Sequence, residues 1–74
     1  MIPDKVQNDF YAGIRTEVVK LCINDDVEVL GGKFKGMKCA VISIEQIEPE
    51  VVYLIECGDD GSSIREPQSN LRMI

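Results

Sequence analysis

The chain has 74 residues, with 8 basic and 13 acidic side chains, no histidine, no tryptophan and 45% hydrophobic residues. That length holds one small domain, and the hydrophobic share belongs to a folding chain rather than a disordered one. A net charge of −5 repels polyanions, which argues against general binding to nucleic acid or anionic membranes; the lack of histidine removes the commonest general base and metal ligand.

The first residues read as a helical arm. Pro3 is a stop, and Asp4 with Gln7 three residues on resembles a capping pair with Asp4 as N-cap. Val6, Phe10, Ile14, Val18 and Leu21 then recur at helical spacing, whereas Asp9, Gly13 and Thr16 weaken a helix. These features predict a short helix over 4–12. Residues 14–22 fit either helix or strand, because Thr16, Val18, Val19, Cys22 and Ile23 are β-branched or strand-tolerant. Residues 1–22 are therefore an arm that packs on a domain formed by 23–74.

From Asn24 onward the pattern is β. Asn24, Asp25 and Asp26 form a turn, and Val27, Glu28 and Val29 alternate as a half-buried strand does. Gly31 and Gly32 break that strand, and residues 33–36 form a loop with Phe34 between two lysines. Residues 38–47 make a longer strand that ends at Pro49, since proline cannot donate to a ladder. Residues 51–56 are the most apolar strand, expected at the centre. The sequence from Gly58 to Gly61 is a turn signal in which Asp60 and Gly61 suit a two-residue hairpin loop. A polar strand over 62–66 stops at Pro67, and after a turn at 68–70 residues 71–74 can close as a last strand. Four or five short strands with glycine-rich turns predict a mostly-β small barrel of antiparallel strands, whose closure removes exposed edges.

Cys22, Cys39 and Cys57 are odd in number, contain no C-x-x-C pair and sit in apolar runs. This argues against a disulfide framework and for free thiols packed as small hydrophobes; a three-thiolate zinc site or a redox thiol is the rival reading. No apolar run reaches membrane-spanning length, and no signal-peptide core stands in the first thirty residues. A cytoplasmic, reducing location is the resulting expectation.

Residues 25–44, DDVEVLGGKFKGMKCAVISI, resemble a KOW motif. Asp25 or Asp26, Val27, Val29, Phe34, Lys35, Gly36 and Val41 match its pattern. Cys39 stands where the family usually has a second glycine, and Asn24 replaces the glycine before the aspartate. The resemblance covers about fifty residues and implies an SH3-like small β-barrel. That fold serves KOW domains of elongation factors and ribosomal proteins. It also serves small accessory proteins of photosynthetic electron-transfer complexes, among them one from photosystem I and the variable chain of ferredoxin–thioredoxin reductase. It specifies the fold more than the function.

Charge is segregated. Residues 45–74 carry seven acids and two bases, so the net excess lies there, whereas Lys33, Lys35 and Lys38 gather around Phe34. In KOW domains the matching loop often contacts RNA or protein, and a basic loop with an aromatic can grip phosphates and stack a base. The candidate binding residues are Lys33, Phe34, Lys35, Gly36 and Lys38. Glu48, Glu50, Asp59, Asp60 and Glu66, with Glu45 and Glu56 beside them, form a candidate acidic docking face for a basic partner. The bland alternatives are a solvated turn and a solvated acidic surface. No EF-hand spacing accompanies Asp59 and Asp60, the serines lack a histidine to activate them, and the glycine pairs match no phosphate-binding pattern. The expectation is a non-enzymatic module or accessory subunit without metal or cofactor, docking on a protein as a monomer or weak homodimer, with no membrane contact. The alternative is a KOW-type RNA-associated factor of ribosome or transcription, which the net charge opposes. An arm that crosses to a second subunit through Phe10 and Ile14 is a third arrangement.

Overall fold

The computed structural model describes residues 2–58 and 61–74. Helix α1, Asp4–Ala12, has the length the periodicity predicts, but its N-cap is Pro3 and no side chain caps it. Asp4 is therefore the first helical residue, where its charge favours the positive end of the helix dipole. Gly13 ends α1 in the left-handed conformation at φ 77°. Its N–H donates to the Phe10 carbonyl, and the Ile14 N–H donates to the Asp9 carbonyl at 2.8 Å, the paired bonds of a Schellman cap. This cap cancels the helical periodicity beyond residue 12: Ile14 and Val18 are exposed, and 14–22 is neither helix nor strand.

The strands are β1 (Asp26–Val29), β2 (Lys38–Gln46), β3 (Val52–Cys57), β4 (Ser62–Pro67) and β5 (Leu71–Met73), with a single 3-10 turn, η1, at Gln68–Asn70. They form one antiparallel sheet in the order β4-β3-β2-β1-β5. Two expectations need correction here. The centre of the sheet is β2, not the more apolar β3. The sheet is also not closed into a barrel: after Pro67 the chain turns through η1 and pairs β5 with β1, so no ladder joins β4 to β5 among the described residues. Of the predicted hairpin loop, Asp60 lies outside the described residues, and Gly61 is in a turn at φ 72°.

Alternation along the strands buries one face. Val27, Val29, Val41, Ile44, Tyr53, Ile55 and Leu71 form the core with Phe10, Val19 and Leu21. Phe10 thus fills the core of its own chain rather than crossing to another. Its ring stacks on Tyr53 at a centroid distance of 6.1 Å.

The arm is fastened through Tyr53. The Tyr53 hydroxyl donates to Gln68 Oε1 at 2.5 Å and accepts from the Leu21 N–H at 3.2 Å. Gln68 Oε1 also accepts from the Lys20 N–H, while Gln68 Nε2 donates to the Val18 carbonyl at 3.0 Å. The Gln68 backbone N–H donates to Val51. One glutamine therefore satisfies backbone groups of 18–20 that lack a ladder.

The cysteines depart most from expectation. Cys39 and Cys57 are directly opposed on β2 and β3 and form a disulfide, with Cα atoms 4.3 Å apart; Cys22 is the free, buried thiol. Disulfides persist mainly in oxidising compartments, so cysteine usage no longer favours a reducing location. No helix among the described residues is long and apolar enough to cross a membrane.

Burial pushes the Tyr53 phenol up to about 12, above the unfolded value near 10. The folded state therefore holds this proton more tightly, and the associated stability, complete below about pH 10, is lost as pH rises through about 12. Urea unfolding between pH 9 and 12 will show a falling midpoint, and Tyr53→Phe will flatten that fall while weakening the protein by about 1–2 kcal/mol at neutral pH. The disulfide spans 18 residues of sequence, so reduction should cost about 3 kcal/mol. Differential scanning calorimetry with and without reductant should then show a midpoint lower by on the order of 10–20 °C.

Candidate binding loop

The candidate basic residues lie between β1 and β2, and the geometry of this loop follows from its glycines and one aromatic. Val29 exchanges backbone bonds across the loop mouth, donating to the Met37 carbonyl at 2.9 Å and accepting from the Gly36 N–H at 2.7 Å. The Lys35 N–H donates to Gly32 and the Met37 N–H to Phe34, two tight turns in succession. Gly36 adopts φ 86°, a conformation that glycine alone enters without strain. Neither Phe34 nor Gly36 lies in a helix or strand.

Phe34 is half-buried and packs against the core cluster, and Lys33 Nζ sits over its ring, 5.5 Å from the centroid. The aromatic therefore anchors the loop, and its ring is occupied from within the chain. Lys33, Lys35 and Lys38 are exposed, and among the described residues none forms a salt bridge. The other basic residues differ. Lys5 pairs with Asp9, Arg15 with Asp25, Arg65 with Glu45 and Arg72 with Glu28; among the described residues Lys20 is the remaining base outside a pair. Lys38 stands directly opposite Glu28 in the ladder, but that carboxylate is taken by Arg72 from the other side.

The described acidic candidates lie toward one end of β3. Glu48 and Glu50 lie in the β2–β3 turn, and Glu66, paired with Tyr53 in register, is near the same end of β3. Asp59 and Asp60 lie outside the described residues. Two of the acids also have structural duties. Glu50 accepts from the Ser69 hydroxyl, and Glu66 accepts from Asn70 Nδ2, which also donates to the Gly31 carbonyl at 3.1 Å. Together they hold η1 and position the residues that open the basic loop. Sequence reasoning missed Asn70 and Gln68 because the backbone groups their side chains serve, at Gly31, Lys20 and Val18, are 39 to 50 residues away.

Burial pushes the Cys22 thiol up, with smaller opposing and reinforcing effects from Arg15 and Asp25, so this sulfur is held as the neutral, weakly nucleophilic form. No group of three or more metal-ligating side chains gathers among the described residues.

The sequence matches no protein-family model, and no curated protein and no solved structure is significantly similar to it.

A Cβ built on Gly36 would meet nothing within 4 Å, so Gly36→Ala carries only a conformational cost of about 1–2 kcal/mol. Urea denaturation should show that loss with an unchanged m-value; a larger loss would mean the loop is packed more tightly than this geometry allows.

Proposed function

We propose that the protein is a small non-enzymatic binding module that docks on an acidic surface of a protein partner through its 33–38 loop. The observation that carries this reading is the disposition of Phe34. With its ring packed on the core and covered by Lys33, the loop presents lysines without a free stacking platform, and stacking supplies much of the affinity for single-stranded nucleic acid. Three lysines neutralise few phosphates, and the remaining surface is acidic. The strand order, with β5 returning to β1 after one 3-10 turn, supports reading the sheet as an open form of the SH3-like layout that the KOW-like stretch implies. The same lysines, lacking salt bridges, favour a second reading, a KOW-type RNA-associated factor, in which the loop tracks backbone phosphates.

Anisotropy titrations at low salt separate the two, using a fluorescent glutamate-rich peptide and a labelled single-stranded RNA. Docking on protein predicts binding to the peptide alone, weakened on the order of tenfold or more by Lys33→Ala/Lys35→Ala/Lys38→Ala. RNA binding that falls steeply with salt and vanishes in the triple variant would put the RNA reading first. Binding of neither probe would remove the loop as a contact site.

A further inference from the structure

Cys39 follows directly on Lys38, and Cys39↔Cys57 is the terminal rung of the β2–β3 ladder. Beyond this rung β2 has no partner on β3, and the basic loop begins one residue away. On its other side the loop is held by β1, a strand of four residues whose ladder to β2 has three registered pairs. Terminal rungs and short ladders open first in native proteins. The disulfide sits where such opening would start.

We infer that the Cys39–Cys57 pair is a reversible thiol–disulfide control on the order of the 33–38 loop, with a low-molecular-weight thiol of the glutathione class as its redox partner. The oxidised pair clamps the loop's β2 base to β3. The reduced pair leaves that base to its short ladder with β1, and the loop frays. Its consequence for docking rests on the reading of this loop as the contact site.

Reversibility in place follows from the register. The antiparallel ladder itself sets these residues opposite one another with Cα atoms 4.3 Å apart, close to the spacing of an ordinary non-hydrogen-bonded cross-strand pair. Breaking or making the bond therefore requires no change in strand pairing. Access selects the reagent. Both sulfurs belong to buried residues, 6% and 3% exposed, on the core face of the sheet, so exchange waits on local opening of this terminal rung. A small thiol enters such an opening more readily than a protein thiol does. The exchange takes two steps: one glutathione thiolate attacks a sulfur, giving a mixed disulfide and releasing the other cysteine thiolate. A second glutathione thiolate then attacks the mixed disulfide and leaves as oxidised glutathione. Two electrons pass to the protein, which takes up two protons. Cys22, buried and held neutral, stays out of the exchange.

The test uses the intact chain in defined glutathione redox buffers. Alkylation and intact mass should report a reversible gain of two reactive thiols without denaturant, at Cys39 and Cys57 only. Hydrogen–deuterium exchange on the same samples should show the amides of Gly36, Met37 and Lys38 exchanging on the order of tenfold to a hundredfold faster after reduction, with those of Ile44 and Tyr53 far less affected. Cys22→Ser should keep the whole response, and Cys39→Ser/Cys57→Ser should show the fast loop in either buffer. A bond that resists glutathione in the folded protein, thiols that scramble with Cys22, or a loop whose exchange does not change would each overturn the inference. Loop exchange that responds to redox state while the Lys33/Lys35/Lys38 surface binds no acidic probe in either state would instead sink the docking reading and leave the redox control standing.

Discussion

Tyr53 is the side chain on which the rest of the structure depends. Its ring is fully buried and stacks on Phe10, which brings α1 to the sheet. Its hydroxyl meets Gln68 and the Leu21 N–H, which brings the arm and η1 to the same point. A chain this short buries little more than half of its unfolded surface, so elements outside the sheet need a specific attachment. Tyrosine suits that position because one side chain supplies a large apolar area and a polar tip that must find partners when buried. Phenylalanine would keep the stacking and lose the bonds to Gln68 and the Leu21 N–H.

The arm itself shows why that attachment is necessary. Between Gly13 and Cys22 the backbone has neither helix nor ladder, yet Val19, Leu21 and Cys22 are buried. The Val19 N–H turns back to the Thr16 hydroxyl, the Cys22 N–H goes to the Asp25 carboxylate, and Gln68 serves residues 18 and 20. Side chains make most of the bonds in this stretch. Such a segment is specified by individual polar residues rather than by period, and for that reason its apolar spacing reads equally well as helix or strand.

Local signals made much of the fold legible. The helix over 4–12, the turns at asparagine, aspartate and glycine, the stop at Pro67 and the turn before Leu71 follow from chemistry within a few residues of each site. The disulfide was not legible, and the ladder explains why. A register continued unbroken from Gln46↔Val52 would set Cys39 opposite position 59. Two single-residue shifts, between Ile44 and Gln46 and between Val41 and Ser43, bring it to Cys57 instead. Bulges of this kind leave little trace in composition, and a cysteine in an apolar run has the same pattern whether or not it is bonded. The candidate loop was legible as a charged turn with an aromatic. That Phe34 faces inward was not, because a lone aromatic between lysines has no periodicity to assign it a side.

The inward Phe34 changes how the loop can work. Free loops lose conformational entropy on binding, at about 0.5–1.5 kcal/mol for each immobilised flexible side chain, in addition to any backbone ordering. Here the backbone is already ordered by two successive turns, by the exchange of bonds with Val29 and by the aromatic anchor, and Asn70 braces the entry at Gly31. Only the lysine side chains remain to be ordered. A rigid frame bearing mobile charges raises association rates through long-range attraction and adapts to different spacings of acidic groups, but it reads no sequence of bases. On the docking proposal, the anchoring of one phenylalanine favours recognition by charge and shape, with the order of the loop's base as the quantity through which affinity would be adjusted.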